Sequence, residues 1–478
     1  MNGRHVSYSE LDRAAGVLVG STAGDALGAG YELGLIGPRD PDMIGGGPFG
    51  WEPGEWTDDT QMAICIAEEA ASGQLDPVAV GSRFLDWFNS GPVDVGSQTG
   101  AVLSGSASPA ELAVEAAEYF RANPKRAAGT GSLMRTGPVA LAGIGDDLRL
   151  SELARSVSEL THADPLAGDA CVLWCVGIDR AIRQSRLDGV RDGLALLPDE
   201  RRELWADAIA KAETRPPSSF NPNGYVVTAF QAALASVWQT PIPAVQPCRH
   251  LQEALRTAVR VGHDTDTVAA IAGSLLGARW GATAVPVAWQ ALLHGWPSYR
   301  AADLVRLAVL AVSHGRDNPT TGWPSGEDMS AYYGTAFPAV PIARTLEDDD
   351  GVVLANWSGA AKVEADVALS LCRVGRHQIH APQHVEVRLL DEDAPEANPN
   401  LEFLLADMAE AITSWRDAGK RILVHCVQAE RRTPAVAAAY LASRLRISGD
   451  DAFARVQRVL PRARENPAFR SALERLWP

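Results

Sequence analysis

The stretch Val261-Gly262-His263-Asp264-Thr265-Asp266-Thr267 runs straight into the small-residue apolar segment from Val268 to Gly277. Its carboxylates and hydroxyls crowd the mouth of what reads as a buried helix. Asp and Thr favour helix starts, where their oxygens accept from the free N–H groups of the first turn. A single opening of this kind is satisfied by a helix cap. A second stands near the other end of the same region, where Trp56-Thr57-Asp58-Asp59-Thr60-Gln61 leads into the apolar run Met62 to Ala67. Brought face to face, two such starts form a cage of hard oxygen donors, suited to Mg²⁺ or Mn²⁺ more than to zinc. The positive end of a helix repels a cation, so several carboxylates are needed to hold one there. Asp58, Asp59, Asp264 and Asp266 supply them, enough for two divalent ions about 3.5 to 4 Å apart. Either motif alone reads first as a capped helix; the pair favours the cage.

A chain of 478 residues exceeds the usual size of one core, so two domains are expected. The formal net charge of -16 argues against a general polyanion-binding surface. Nucleic acid is therefore not an expected partner, although a nucleic acid end stays open as an acceptor. Cys65, Cys171, Cys175, Cys248, Cys372 and Cys426 show no CxxC pairing, which fits a reduced, cytoplasmic setting. Met1 to Leu11 lacks the apolar core of a signal peptide. No apolar stretch reaches the roughly 18 to 20 residues that span a bilayer; Leu304 to Val312 is too short and is broken by Arg306. No membrane association is expected.

Helical spacing dominates up to about Val312. From Ser9 to Gly30 small and apolar residues fall at helical spacing, as in a helix whose small face lets another backbone approach closely. A Gly- and Pro-rich loop, Tyr31 to Gly54, follows, and a helix is predicted from Ser132 to Ala142. Residues 8–312 thus read as one all-α domain. Residues 313–351, with the acidic run Glu347-Asp348-Asp349-Asp350, read as a linker or lead-in. In 352–478 strands at Val367 to Cys372, Val385 to Leu390 and Ile422 to His425 alternate with helices at Leu401 to Ala418 and Pro434 to Leu445, which is an α/β domain.

The ordered set Gly24-Asp25-Ala26-Leu27-Gly28 with Glu32, Thr57-Asp58-Asp59-Thr60, Gly129-Thr130-Gly131-Ser132-Leu133-Met134-Arg135, Thr161-His162 and Gly262-His263-Asp264-Thr265-Asp266-Thr267 resembles the ADP-ribosylglycohydrolase family, from about Leu11 to Arg279. The resemblance implies an all-α domain that holds two Mg²⁺ or Mn²⁺ ions and removes ADP-ribose from a modified acceptor. By position, Thr57, Asp58 and Asp59 serve one side of the metal pair, and Asp264, Asp266 and Thr267 the other, with Asp266 counted as catalytic too. Glu32 gates the site and orients or activates a water. Gly129, Thr130, Gly131, Ser132, Met134 and Arg135 hold the ribose and diphosphate, with His162 beside them. Thr130 stands where the family often has Asn, which points to an altered substrate preference.

In the second domain, Ile422-Leu423-Val424-His425-Cys426 leads through Val427-Gln428-Ala429-Glu430-Arg431 to Arg432-Thr433. Five residues between Cys426 and Arg432 let the loop curl and aim its N–H groups at a phosphate, while Arg432 chelates it. A thiolate there is a nucleophile, and Thr433 stabilises it as it departs. This segment resembles the protein tyrosine and dual-specificity phosphatases from about Val352 to Leu476. That resemblance implies a phosphocysteine intermediate and an Asp general acid, Asp391 by preference, with Asp393 also open. Two departures stand out: Ala429 occupies a position commonly Gly, and Glu430 brings a negative charge beside the anion.

The reading is a multidomain hydrolase, an all-α ADP-ribosylglycohydrolase-like domain followed by an α/β cysteine-phosphatase-like domain. Its partners are an ADP-ribosylated substrate and a phosphorylated one. The rivals are a two-metal nucleotide phosphohydrolase and a non-catalytic ADP-ribose and phosphate-binding protein.

Overall fold

The computed structural model describes residues 6–317, 328–375 and 377–478, and the chain divides into two compact units. Part of the 313–351 stretch, 318–327, lies outside the described residues, as does the start of the segment read for a signal peptide. Among the described residues no helix is long and apolar enough to cross a membrane.

The first unit comprises Met1–Val285, Leu292–Arg300 and Leu307–Asp317. Its helices are α1 (Tyr8–Gly28), α2 (Asp58–Ala70), α3 (Pro77–Asn89), α4 (Ser97–Gly105), α5 (Leu112–Ala122), α6 (Gly137–Ala142), α7 (Asp147–Glu159), α8 (Pro165–Gln184), α9 (Asp199–Thr214), α10 (Val226–Gln239), α11 (His250–Val259) and α12 (Thr265–Trp280). A two-residue antiparallel pair, β1 (His294–Gly295) and β2 (Tyr299–Arg300), is added to them. Helix α12 is buried nearly throughout and packs on α1, α8, α10 and α11. Its tightest neighbour is α1, because glycine recurs every fourth residue there, at Gly16, Gly20, Gly24 and Gly28. A Cβ on Gly24 would lie 2.1 Å from the carbonyl oxygen of Ala269, and one on Gly28 would lie 2.5 Å from Cα of Asp266. Backbone thus meets backbone, and the end of α1 is pressed against the start of α12.

The helix predicted from Ser132 begins only at Gly137. Pro138 sits in its first turn, where a missing N–H is tolerated. Residues 130–135 form turns instead, with the N–H groups of Leu133 and Met134 both donating to the carbonyl of Thr130.

Helices α13 (Val287–Leu292) and α14 (Ala301–Val312) come next in the chain. The second unit comprises Pro286–Ala291, Ala301–Arg306 and Asn318–Pro478. Its sheet has the order β3 (Ala343–Leu346), β4 (Asp349–Asn356), β7 (Ile422–Cys426), β5 (Val367–Ser370), β6 (Gln383–Glu386). Strands β3 and β4 are antiparallel and every other pair is parallel. Much of the stretch read as a linker is therefore structured, as α15 (Ser330–Ala336), β3 and the start of β4. Strand β6 stops at Glu386, short of the predicted Leu390, because its partner β5 ends at Ser370. The helices α16 (Trp357–Ala360), α17 (Leu401–Asp417), α18 (Arg432–Leu445), α19 (Gly449–Val459) and α20 (Pro467–Leu476) complete the unit. One sheet face builds a core with Leu354, Leu369, Val424, Met408, Ile412 and Phe453; the other packs Val353, Ala368, Leu423 and Ile379. The central strand β7 delivers Cys426 to the carboxyl edge of the sheet, level with Asn356 of β4.

Candidate active site

The contact between α1 and α12 decides the site. Asp25, one turn from the end of α1, is wholly buried and caps α2 from outside: its carboxylate accepts from the N–H of Thr57 at 3.1 Å, the N–H of Thr60 at 3.1 Å and the Thr60 hydroxyl at 2.6 Å. Thr57 is the N-cap of α2, and its hydroxyl donates to Oδ2 of Asp59 at 3.1 Å. From the start of α12 the Thr267 hydroxyl reaches the same oxygen at 3.4 Å. Asp25, Asp59 and Asp266 each place a carboxylate oxygen within 4.8 Å of the other two, a group able to hold a metal ion. The turn before α12 is shaped by Gly262 and His263, both with positive φ, and by Asn223, which accepts from the Asp264 N–H at 3.1 Å and donates to Gly262 O at 3.0 Å.

The electrostatics of this cluster suit a cation. Burial, with repulsion from its neighbours added, pushes Asp58, Asp59 and Asp266 well above the usual carboxylate range. Burial also raises Asp264, and brings Asp25 to about 6 despite the bonds it accepts. Oδ1 of Asp59 is buried with no hydrogen-bond partner. A buried, unpartnered carboxylate oxygen amid carboxylates of like charge fits a hard divalent ion.

The cluster opens on a cavity of about 560 Å³. Asp58, Asp264, Asp266 and Thr267 line it, together with Glu32, Thr130, Gly129, Gly131, Met134 and His162. Thr57 stays beneath, touching Asp59. Burial, then the charges of Asp264 and Asp94, push Glu32 up to about 7, and its Oε2 has no hydrogen-bond partner. In the glycine loop the N–H groups of Gly131 and Ser132 donate to no acceptor among the described residues. A Cβ on Gly131 would sit 2.8 Å from His162 Cε1, so only glycine fits under that ring.

The Arg135 side chain does not line the cavity. It is buried below the loop with its guanidinium 4.5 Å over the Phe84 ring, and it donates to the Thr161 hydroxyl at 2.6 Å. That hydroxyl in turn contacts His162 Nδ1 at 2.8 Å. With Arg135 donating to it, the Thr161 hydroxyl is free to give its own hydrogen to Nδ1, which favours the tautomer with the proton on Nε2, on the side of the glycines. Burial, then the Arg135 charge, lower His162 to about 3, which keeps it neutral. The Ser132 side chain also faces inward, toward Cys171.

Two residues were missed at the level of sequence. Asp25 stands in a motif quoted for resemblance, but it is embedded in an apolar helix and gives no sign of its direction. Asp94 lies in a Pro- and Gly-containing loop without periodicity; it lines the cavity, and burial followed by Asp264 raises it to about 6.

In the second unit, Cys426 ends β7 and is buried, and Arg432 opens α18. Ala429 has φ of 58°, the left-handed conformation that favours glycine. The Arg432 guanidinium donates to the carbonyls of Leu371 and Leu389. Its Nε and the Thr433 hydroxyl are buried without partners. Asp391 approaches the loop through Arg431 at 3.3 Å and also accepts from Asn466 at 3.4 Å, whereas Asp393 accepts from Asn466 at 2.9 Å. The charge of Glu430 is paired with Arg464 at 2.8 Å.

The first unit is thus predominantly helical and sets a buried acidic cluster at the edge of a cavity, and comparison with known proteins gives it a family. The chain belongs to the ADP-ribosylglycohydrolase family, which matches residues 7–308. The resemblance read from the motifs is thereby borne out for the first unit. The chain is 30% identical over 291 residues to an ADP-ribosylarginine hydrolase, Tri1, of Serratia proteamaculans (strain 568), covering 58% of this chain and 74% of that protein. It is 29% identical over 289 residues to the ADP-ribosyl-[dinitrogen reductase] glycohydrolase of Rhodospirillum rubrum, covering 59% and 90%. A structure of human DUSP28 aligns with 30% of this chain and 97% of its own, at 24% identity and a TM-score of 0.26.

Proposed function

We propose that the first unit is a metal-dependent hydrolase that releases ADP-ribose from a modified protein side chain, arginine by preference. The observation that carries this is the triad Asp25, Asp59 and Asp266, with the orphaned Asp59 oxygen, at one end of a cavity whose glycine loop offers free N–H groups. Asp25, Asp58, Asp59, Asp264 and Asp266 would hold one or two Mg²⁺ or Mn²⁺ ions, with the Thr57 and Thr267 hydroxyls orienting Asp59. A divalent ion there supplies Lewis-acid polarisation and lowers the pKa of a bound water. Cleavage at an anomeric carbon builds oxocarbenium-like charge and needs an activated water. Glu32, which lines the cavity and is raised to about 7 by burial, would take that water's proton. The Gly131 and Ser132 amides and the His162 Nε2–H offer donors to the diphosphate. Glu32 and Asp94 leave the acidic end suited to a cationic acceptor, and the name of the Serratia relative supports arginine.

The test is release of ADP-ribose, identified by mass, from a panel of ADP-ribosylated arginine and serine peptides with Mg²⁺, Mn²⁺ or excess chelator. Metal-dependent release is expected, and Asp266→Ala abolishes it while leaving the fold intact. Undiminished activity in chelator defeats the metal mechanism. Cleavage within the diphosphate favours a nucleotide phosphohydrolase, and tight binding without turnover favours a reader.

A second reading applies to the other unit. The Cys426 to Arg432 loop, with the partnerless Thr433 hydroxyl and Arg432 Nε, supports a cysteine-dependent phosphatase in which Asp391 is the general acid. Loss of aryl phosphate turnover in Cys426→Ser is expected. Unchanged turnover in that variant leaves at most a phosphate-binding appendage.

A further inference from the structure

The lining of the cavity is strongly acidic, with one exception. Glu32, Asp58, Asp94, Asp264 and Asp266 lie close enough to feel one another's charge, and among the described residues the single arginine or lysine in the lining is Arg126. Arg126 follows α5 in a turn closed by its own N–H donating to Asn123 O at 2.9 Å. Its side chain is exposed and forms no ion pair among the described residues. It stands just before the glycine loop, whose free amides suit one phosphate. From α5 itself, Tyr119 lines the same wall, half-buried, so that an aromatic surface faces the cavity. Asn123 gives its side-chain N–H to Tyr119 O at 3.0 Å, fixing the turn that carries Arg126.

An unpaired guanidinium in an otherwise acidic cavity has no structural partner to serve. It matches a ligand with a second anionic group beyond the one the glycine loop takes. We propose that Arg126 binds the adenosine-side phosphate of the ADP-ribosyl group and that Tyr119 takes the face of its base. This wall thereby selects nucleoside diphosphate-linked ribose over ribose carrying a single phosphate. The proposal rests on the ADP-ribosyl reading of the site and names the residues that measure the length of the group.

The test is calorimetric binding of ADP-ribose and of ribose 5-phosphate to the full chain and to Arg126→Glu and Tyr119→Ala, with thermal melts as a check on folding. Arg126→Glu is expected to weaken ADP-ribose binding by about tenfold or more while ribose 5-phosphate binding changes little, and Tyr119→Ala to act in the same direction. In turnover, the loss falls on KM. Unaltered ADP-ribose affinity in Arg126→Glu overturns the proposal and leaves the hydrolase reading standing. Equal losses for both ligands also overturn it, since Arg126 would then serve the ribose-side phosphate. Failure of the wild-type chain to bind ADP-ribose overturns the hydrolase reading and the proposal with it.

Discussion

Gly24→Ala tests the physical link between helix packing and the acidic cluster. The added Cβ would stand 2.1 Å from the carbonyl oxygen of Ala269 and 2.4 Å from its carbon, where real Cβ atoms keep beyond 3.0 Å. Helices α1 and α12 must therefore separate by at least about 0.9 Å, the difference between 3.0 and 2.1. The obstacle is backbone, so no side-chain rotation relieves it. Overpacking of this kind costs about 1–3 kcal/mol, which lowers the melting temperature by several degrees in a unit of this size. The functional effect is larger. Asp25 is the next residue on α1, and Asp266 leaves α12 beside Gly28, so the separation opens the 4.8 Å triad directly. Displacements near 1 Å at a reacting centre cost on the order of 100-fold in rate.

The assay pairs thermal unfolding with a Mg²⁺ or Mn²⁺ titration and with ADP-ribose release. Gly37→Ala is the control, since nothing lies within 4 Å of a Cβ there. Gly24→Ala should lose metal affinity and activity together, and Gly37→Ala should lose neither. A Gly24→Ala protein that melts lower yet binds metal as the wild type does would refute the coupling of packing to the cage.

Asp25→Asn keeps one oxygen that accepts from both the Thr57 and Thr60 N–H groups, as Oδ2 does now, so the fold should persist while metal affinity falls by at least about tenfold on titration. Ala429→Gly relieves a left-handed conformation that costs an ordinary residue roughly 1–2 kcal/mol; against the larger chain entropy of glycine, a net gain of about 0.5–1 kcal/mol in the second unit should show in denaturant midpoints. Burial raises Glu386 to about 8, so the folded state holds a proton that the unfolded state loses above its usual range. Stability of the second unit should therefore fall as pH rises from about 4.5 toward 8, and Glu386→Gln should flatten that slope in pH-resolved melts. Between the two acids upstream of the Cys loop, Asp391→Asn should lower aryl phosphate turnover and shift the acid limb of its pH profile, whereas Asp393→Asn should do neither.

What was readable in the chain divides along a physical line. The helix mouths at Thr57 to Thr60 and Asp264 to Thr267 stand out because acids and hydroxyls cluster ahead of apolar runs, a local pattern that follows from capping. The switch from helical to strand spacing near Val352 and the Cys426 to Arg432 interval are local as well. The shortfalls concern segments whose meaning comes from elsewhere. The stretch 313–351 looks polar and loop-like, yet β3 is ordered by pairing with β4, an edge strand whose outward residues need no apolar pattern. Asp94 has no periodic context, and only the folded loop sets it near Asp264. Asp25 is the clearest instance. Within α1 it reads as a polar residue in a small-faced helix, and that small face was recognised without its partner. The partner is Ala269 to Gly277 of α12, roughly 250 residues on. Small faces are complementary to any other small face, so spacing on one helix predicts close approach but not to whom. The metal-binding capacity of the cluster is accordingly a property of the pair: α12 supplies Asp266, α1 supplies Asp25, and only their backbone contact turns two helix-end acids and Asp59 into one site.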